Sequence, residues 1–231
     1  MNSFKSITLI LTLAISGICI FSSCEKDESS KSLTIGGQTD LAKNQVGSTF
    51  TGITYIGNDG PNIDADMEVV KFENDIITLK VTIPVIPAIL AKVNPLGTFI
   101  LGDDFLRNPQ KYLDGNGNLS TEINVFNSSE GVAIMSPSGK QQVIMKYNAK
   151  VNESWSFKNE DTERKYNLKT TYRSTEDDYD YVFFKIKVVK IEMTSEDPEI
   201  DKIVIIGNHK FGLVGIQTMF KDGTVFNTVM I

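Results

Sequence analysis

Histidine is almost missing from this chain, and its absence removes much familiar chemistry. His209 stands alone among 231 residues. A histidine metal cluster is excluded within one chain, and a Ser-His-Asp triad would have to use this one residue. No Gly-x-Ser-x-Gly elbow supplies the matching nucleophile, and His209 follows Gly207-Asn208 at a predicted turn, where an exposed histidine is expected. Cysteine is nearly as scarce. Cys19 and Cys24 both lie near the N-terminus, so no disulfide can form within the rest of the chain. Basic blocks are missing too: 23 Lys and Arg face 29 Asp and Glu, without clustering. Nucleic acid is therefore excluded as an expected partner, because phosphate neutralisation needs grouped cations. After the first 21 residues no apolar run is long enough to span a bilayer. Ile83 to Val93 is the most apolar stretch, and Pro84 and Pro87 interrupt it. No fixed-period repeat is present. Gly36-Gly37 is too short to cradle a phosphate and follows no convincing strand. Helical periodicity is scarce throughout.

What is present begins with an address. Lys5 is the only charge before Glu25, and Ile7 to Phe21 is apolar, broken only by small or hydroxyl residues. Ser22-Ser23-Cys24 closes the segment. A short positive region, an apolar stretch and small residues at a cleavage point describe an export signal over residues 1–23. Phe21, Ser22, Ser23 and Cys24 resemble the lipobox of bacterial lipoproteins, with Phe21 where Leu is frequent. The resemblance implies a diacylglycerol thioether on Cys24, cleavage before it, and acylation of the new amine with a palmitate-type chain. Each buried lipid methylene contributes roughly 0.8 kcal/mol, so several chains anchor a protein where one would not. Glu25-Lys26-Asp27-Glu28-Ser29-Ser30-Lys31 follows. It is similar to the acidic tract of surface-exposed lipoproteins of Bacteroidetes-type bacteria; a plain solvated tether would read the same way. The resemblance places the protein on the outer membrane facing the exterior, ahead of the periplasmic face. Residues 24–48 are read as lipidated cysteine and tether.

Residues 49–231 read as a β-rich domain. Thr51–Ile56 alternates and ends at Gly57-Asn58-Asp59-Gly60-Pro61. Met67–Phe72 and Ile76–Ile83 form a hairpin across Glu73-Asn74-Asp75, with Ile77, Leu79, Val81 and Ile83 on one face. Pro84, Pro87 and Pro95 predict an irregular crossing, followed by a strand at Phe99–Leu101 and a short helix within Asp103–Leu113. Further strands are expected at Glu122–Phe126, Val132–Met135, Gln141–Tyr147, Ser154–Phe157, Tyr166–Tyr172 and Ile200–Ile206. Tyr181–Met193 reads as one long strand bent near Val188-Val189. Leu213–Phe220 and Thr224–Met230 form a last hairpin across Lys221-Asp222-Gly223. Ten or more short strands favour an all-β or β-dominated fold, an antiparallel sandwich or an open curved barrel with at most short helices. A division into two subdomains at residues 136–139 and one continuous fold are both open. Asn152-Glu153-Ser154-Trp155 and Lys210-Phe211-Gly212-Leu213-Val214 resemble the Gly-x-x-Trp start and Gly-Leu-Val finish of uncharacterised secreted β proteins, with Asn152 where Gly is usual. That resemblance implies a curved antiparallel sheet rather than an activity.

Four constellations invite chemistry. Asp114-Gly115-Asn116-Gly117-Asn118 offers oxygens from Asp114, Asn116 and Asn118, with Glu122 beyond as a candidate calcium ligand. The spacing fails the EF-hand pattern, because Leu119 and Val125 occupy its sixth and twelfth positions, so no metal is expected and a turn is the simpler reading. Asp59, Asn62, Asp64 and Asp66 form a second acidic stretch read as a loop. Glu176, Asp177, Asp178 and Asp180 could serve a carboxylate-based hydrolase, yet a solvated loop accounts for them. Trp155, Tyr166, Tyr172, Tyr179 and Tyr181, with Phe157, Phe183 and Phe184, are candidates for an aromatic ligand platform or for a two-sided core. The combined expectation is a lipid-anchored extracytoplasmic protein with a non-catalytic binding or structural role. A surface glycan-binding lipoprotein and a carboxylate-based hydrolase are the alternatives. The expected partners are the membrane, through lipid on Cys24, and a glycan or an envelope protein, with no cofactor.

Overall fold

A computed structural model describes residues 33–57, 62–85, 105, 107–160 and 162–231. Ser32–Ile231 forms one compact unit. The first strands are β1 (Thr49–Ile56), β2 (Asn62–Glu73), β3 (Ile76–Ile83), β4 (Leu119–Asn127), β5 (Gly131–Met135) and β6 (Gln141–Lys146). Next come β7 (Ser154–Lys158), β8 (Lys165–Arg173), β9 (Tyr179–Tyr181), β10 (Phe184–Ile186) and β11 (Val189–Ser195). The series ends with β12 (Ile200–Asn208), β13 (Gly212–Phe220) and β14 (Val225–Met230). Twelve of these make one antiparallel sheet in the order β6-β5-β4-β3-β2-β1-β14-β13-β12-β11-β8-β7. The fold is therefore β-dominated, a curved sheet rolled into a nearly closed barrel.

Most of the sheet is a meander in which neighbours in sequence are neighbours in space. Turn chemistry accounts for its local corners. Asn74 and Asp75 both take positive φ, 50° and 66°, which matches a tight turn to the twist of β2 and β3. Gly223 closes β13 to β14 at φ 86°. The long-range step is the pairing of β1 with β14, Gly52 opposite Met230 and Ile56 opposite Phe226. It joins the two ends of the unit and leaves a single seam, between β6 and β7.

Side chains rather than a backbone ladder close that seam. The Trp155 indole N–H donates to the Val143 carbonyl at 2.8 Å. Lys146 pairs with Glu153, and Arg173 donates to the carbonyls of Tyr147 and Ala149 at 3.0 and 2.9 Å. The bonds to these carbonyls satisfy part of the β6 edge and the chain just after it, which would otherwise template aggregation. Close backbone approach also selects one residue type: a Cβ on Gly131 would lie 2.0 Å from the Met145 carbonyl oxygen.

The interior is apolar. Val69, Ile77, Val125, Met145, Leu168, Ile191, Met193, Ile203, Ile205 and Phe226 all point inward and are buried. Two outer faces are covered as well. The β9–β10 hairpin lies over β12 and β13, burying Ile186, Val188, Val204, Ile206 and Val214. Double coverage explains why β12 reads as a continuous apolar run rather than an alternation. The segment from Leu33 covers β5 and β6, with Ile35 against Ala133 and Val143. There the Gln141 side chain both accepts from the Ile35 N–H at 2.8 Å and donates to its carbonyl at 3.1 Å.

Several expectations change. Tyr181–Met193 is not one bent strand: the chain doubles back at Val182-Phe183, and Tyr181 pairs with Phe184. Residues 33–48, read as tether, pack on the barrel, with Ile35, Thr39 and Asn44 buried. Asn62, Asp64 and Asp66 belong to β2 rather than to a loop, and their side chains are exposed. Ser136–Gly139 is the turn between β5 and β6, inside one continuous sheet. The crossing after Val85, the strand at 99–101 and Asp59 lie outside the described residues; of the helix expected in 103–113, Pro109–Tyr112 forms a 3₁₀ turn.

Candidate ligand-binding cavity

One end of the barrel is left partly empty. A cavity of about 110 Å³ opens to solvent there. Its walls are inward side chains of consecutive strands: Phe50 on β1, Met67 on β2, Ile77 and Leu79 on β3, Val125 on β4 and Val132 on β5. Lys43, Asn127, Tyr181, Phe211, Gly212, Leu213, Met230 and Ile231 complete the lining. An apolar body with few convergent polar groups is the usual composition of a small-molecule site. Met67 and Met230 make part of the wall adaptable, because methionine is unbranched and flexible.

A short 3₁₀ turn, Ala42–Asn44, presents Lys43. Asn44 pins that turn to the end of β4. Its Nδ2 donates to the carbonyls of Thr39 and Asn127 at 2.7 and 2.8 Å. Because Nδ2 must face those two acceptors, Asn44 Oδ1 faces Asn127 and accepts from its Nδ2 at 2.7 Å. The orientation of Asn127 follows, and its Oδ1 is left buried with no partner among the described residues.

Gly212 brings the other polar groups together. It opens β13 at φ 86°, the left-handed region. A Cβ there would lie 2.7 Å from Lys43 Nζ and 3.8 Å from Tyr147 Oη. The amine and the hydroxyl thus flank one point of bare backbone. Lys43 makes no hydrogen bond or ion pair among the described residues, and burial holds its amine below the usual lysine range. Tyr147 is 6% exposed, and its hydroxyl has no partner among the described residues. Burial pushes that hydroxyl far above the usual tyrosine range. A donor-rich ammonium, a neutral hydroxyl and an orphaned amide oxygen therefore surround the same end of the barrel.

The rim beside this group is aromatic. Tyr181, Phe184 and Phe211 pack as three rings with centroids 5.6 to 5.8 Å apart. The Tyr181 hydroxyl donates to the Met230 carbonyl at 2.7 Å. Phe211 is held by its own turn, where Asn208 Oδ1 accepts from the N–H groups of Lys210 and Phe211. At the hairpin tip Val182 takes φ 54°, a strained conformation for a β-branched residue. Phe183 beside it is 96% exposed.

The residues expected from sequence scatter. Of the aromatic candidates only Tyr181 reaches the cavity. Tyr166 is core and stacks on Phe157. Trp155 sits at the seam, and Lys146 lies over its ring at 5.7 Å. Tyr172 and Tyr179 share Lys190, 5.4 and 5.3 Å from their rings. Phe183 is at the hairpin tip rather than in a core. In the calcium candidate loop Asp114 Oδ1 accepts from the N–H groups of Asn116 and Asn118 at 2.8 and 2.9 Å, and Oδ2 accepts from Asn118 Nδ2. Those bonds draw its carboxyl below the usual range. Glu122 stands on β4 opposite Lys80. Among the described residues no three His, Cys, Asp or Glu side chains group as a metal site would require. Asp178 accepts from Ser174 and Tyr172, and Asp180 pairs with Lys185 at 3.1 Å, while Glu176 and Asp177 are exposed. His209 is exposed in its turn. Lys43, Asn127 and Tyr147 carried no motif, Gly212 was read only as part of a strand-opening pattern, and the fold alone assembles them. Comparison with protein-family models, curated proteins and solved structures finds no match to this chain.

Proposed function

We propose that this protein is a non-catalytic binding protein, lipid-anchored at the cell envelope through Cys24, whose barrel takes a small apolar molecule. The cavity supports the binding half of this reading: a solvent-open apolar volume beside an amine that has no partner among the described residues. Packed interiors leave few voids of this size, and an empty cavity forfeits the contacts of its lining. The Ser22-Ser23-Cys24 junction supports the anchoring half. The acidic tract after Cys24 supports outward placement on an outer membrane. The exposed carboxylates of residues 176–180 favour hydrolysis less, since two of the four are engaged within their own loop and hairpin.

Two experiments test the two halves. Ligand-observed NMR of the full chain in detergent should show saturable binding of 4-methylpentan-1-ol. Filling the cavity from β3 with Leu79→Trp, or from β5 with Val132→Phe, should abolish it. Binding that persists in both folded variants contradicts the cavity reading. Cells expressing the chain should incorporate a palmitate analogue, and Cys24→Ser should lose the label and leave the membrane fraction. Equal labelling of both proteins contradicts the anchor.

A further inference from the structure

We propose that the ligand of the cavity is a small monocarboxylate, its apolar body among the strand side chains and its carboxylate on Lys43 and Tyr147. This rests on the cavity being a binding site and adds the chemistry of what fills it. Three observations carry it. Lys43 Nζ is half-buried with no anion beside it among the described residues. A desolvated ammonium is costly to leave unpaired, and an incoming anion removes that cost. Tyr147 Oη is buried, has no partner among the described residues and lies near the same point beside Gly212. It is held neutral, so it donates its proton in a hydrogen bond. An ammonium and a neutral hydroxyl converging on one place match the two oxygens of a carboxylate.

Size limits the body. A cavity of about 150 Å³ accepts benzene, so about 110 Å³ suits roughly five carbon atoms. Branched or cyclic short chains fit; a long acyl chain does not. The acceptor Asn127 Oδ1 calls for a donor. A free acid leaves it to water, whereas the C-terminal residue of a peptide places an amide N–H next to its carboxylate. The recognised chemistry is the same in both sources.

Calorimetric titration of the full chain in detergent separates the claims. 4-Methylpentanoate should bind at least tenfold more tightly than 4-methylpentan-1-ol, which has the same body and no charge. Lys43→Met should erase that preference while the alcohol still binds. Tyr147→Phe should reduce it several-fold and retain the native circular dichroism spectrum. N-acetylleucine assigns the source: tighter binding than 4-methylpentanoate indicates a peptide end, weaker binding a free acid. Equal affinity for acid and alcohol, unchanged in Lys43→Met, overturns the carboxylate assignment and leaves the cavity reading intact. Saturable heat from neither overturns both.

Discussion

Asp197 and Lys43 are both charged groups drawn out of water, and their surroundings differ in kind. Asp197 is 5% exposed. Its Oδ1 accepts from the N–H groups of Glu199 and Ile200, both at 2.9 Å, and its Oδ2 accepts from Arg164 at 2.8 Å. Lys221 donates to its carbonyl at 2.7 Å. Every acceptor is used, and the group orders the turn between β11 and β12. Lys43 is half-buried and has none of these partners among the described residues. One charge is closed on itself and holds structure. The other is open, and its unmet bonds point to something that arrives from outside.

The largest expected effect is at the closed site. Asp197→Ala strips the Arg164 guanidinium of its partner and leaves two N–H groups unsatisfied. Loss of one member of a buried pair costs about 3 kcal/mol, to be read in urea unfolding of the full chain in detergent. An effect below about 1 kcal/mol would place Asp197 with ordinary surface pairs and erase the contrast. The seam should give a middle value. Trp155→Phe keeps the ring and removes the indole N–H bond to Val143, costing about 1 kcal/mol in the same assay. No change would mean that the seam is held by packing alone.

The open site should give the smallest effect, with the opposite sign. Lys43→Met should leave stability unchanged or raise it by up to about 1 kcal/mol at neutral pH, since an unpaired desolvated charge is replaced by an apolar chain. The pH dependence follows from the lowered amine pKa. Between the folded value and the ordinary lysine value the unfolded chain holds more protons than the folded one. Stability therefore rises with pH across that window, and the penalty is fully present below it. Stability of wild type relative to Lys43→Met should thus improve as pH rises towards the ordinary lysine value. A difference that stays flat would show that the amine is not desolvated.

Much of the barrel was legible locally. Ile76–Ile83 alternates and is β3 residue for residue. Asp222-Gly223 marks the last hairpin, and Asn152 takes φ 69°, a conformation that asparagine tolerates well. The reversal at Val182-Phe183 was hidden, because a β-branched residue and an aromatic are poor turn formers and neither predicts positive φ. Closure through β1 and β14 was hidden for another reason: pairing between strands at opposite ends of a chain leaves no mark in either pattern. The site inherits that distance. Lys43, Asn127, Tyr147 and Gly212 come from four separate segments, and each alone looks like an ordinary surface or turn residue. Even the packing of Ile35 against β5 and β6 falls in a stretch whose polar composition reads as tether.

The central claim is that the open end of the barrel receives a ligand, and methionine methyl groups report on it directly. Met67 and Met230 line the cavity, while Met145, Met193 and Met219 do not. Titrating 4-methylpentanoate into the full chain, labelled with ¹³C at its methionine methyls, should move the Met67 and Met230 signals together and saturably. Met145, Met193 and Met219 should stay in place. Signals that all remain fixed, or that all drift in proportion to added ligand, would contradict a site at this end of the barrel.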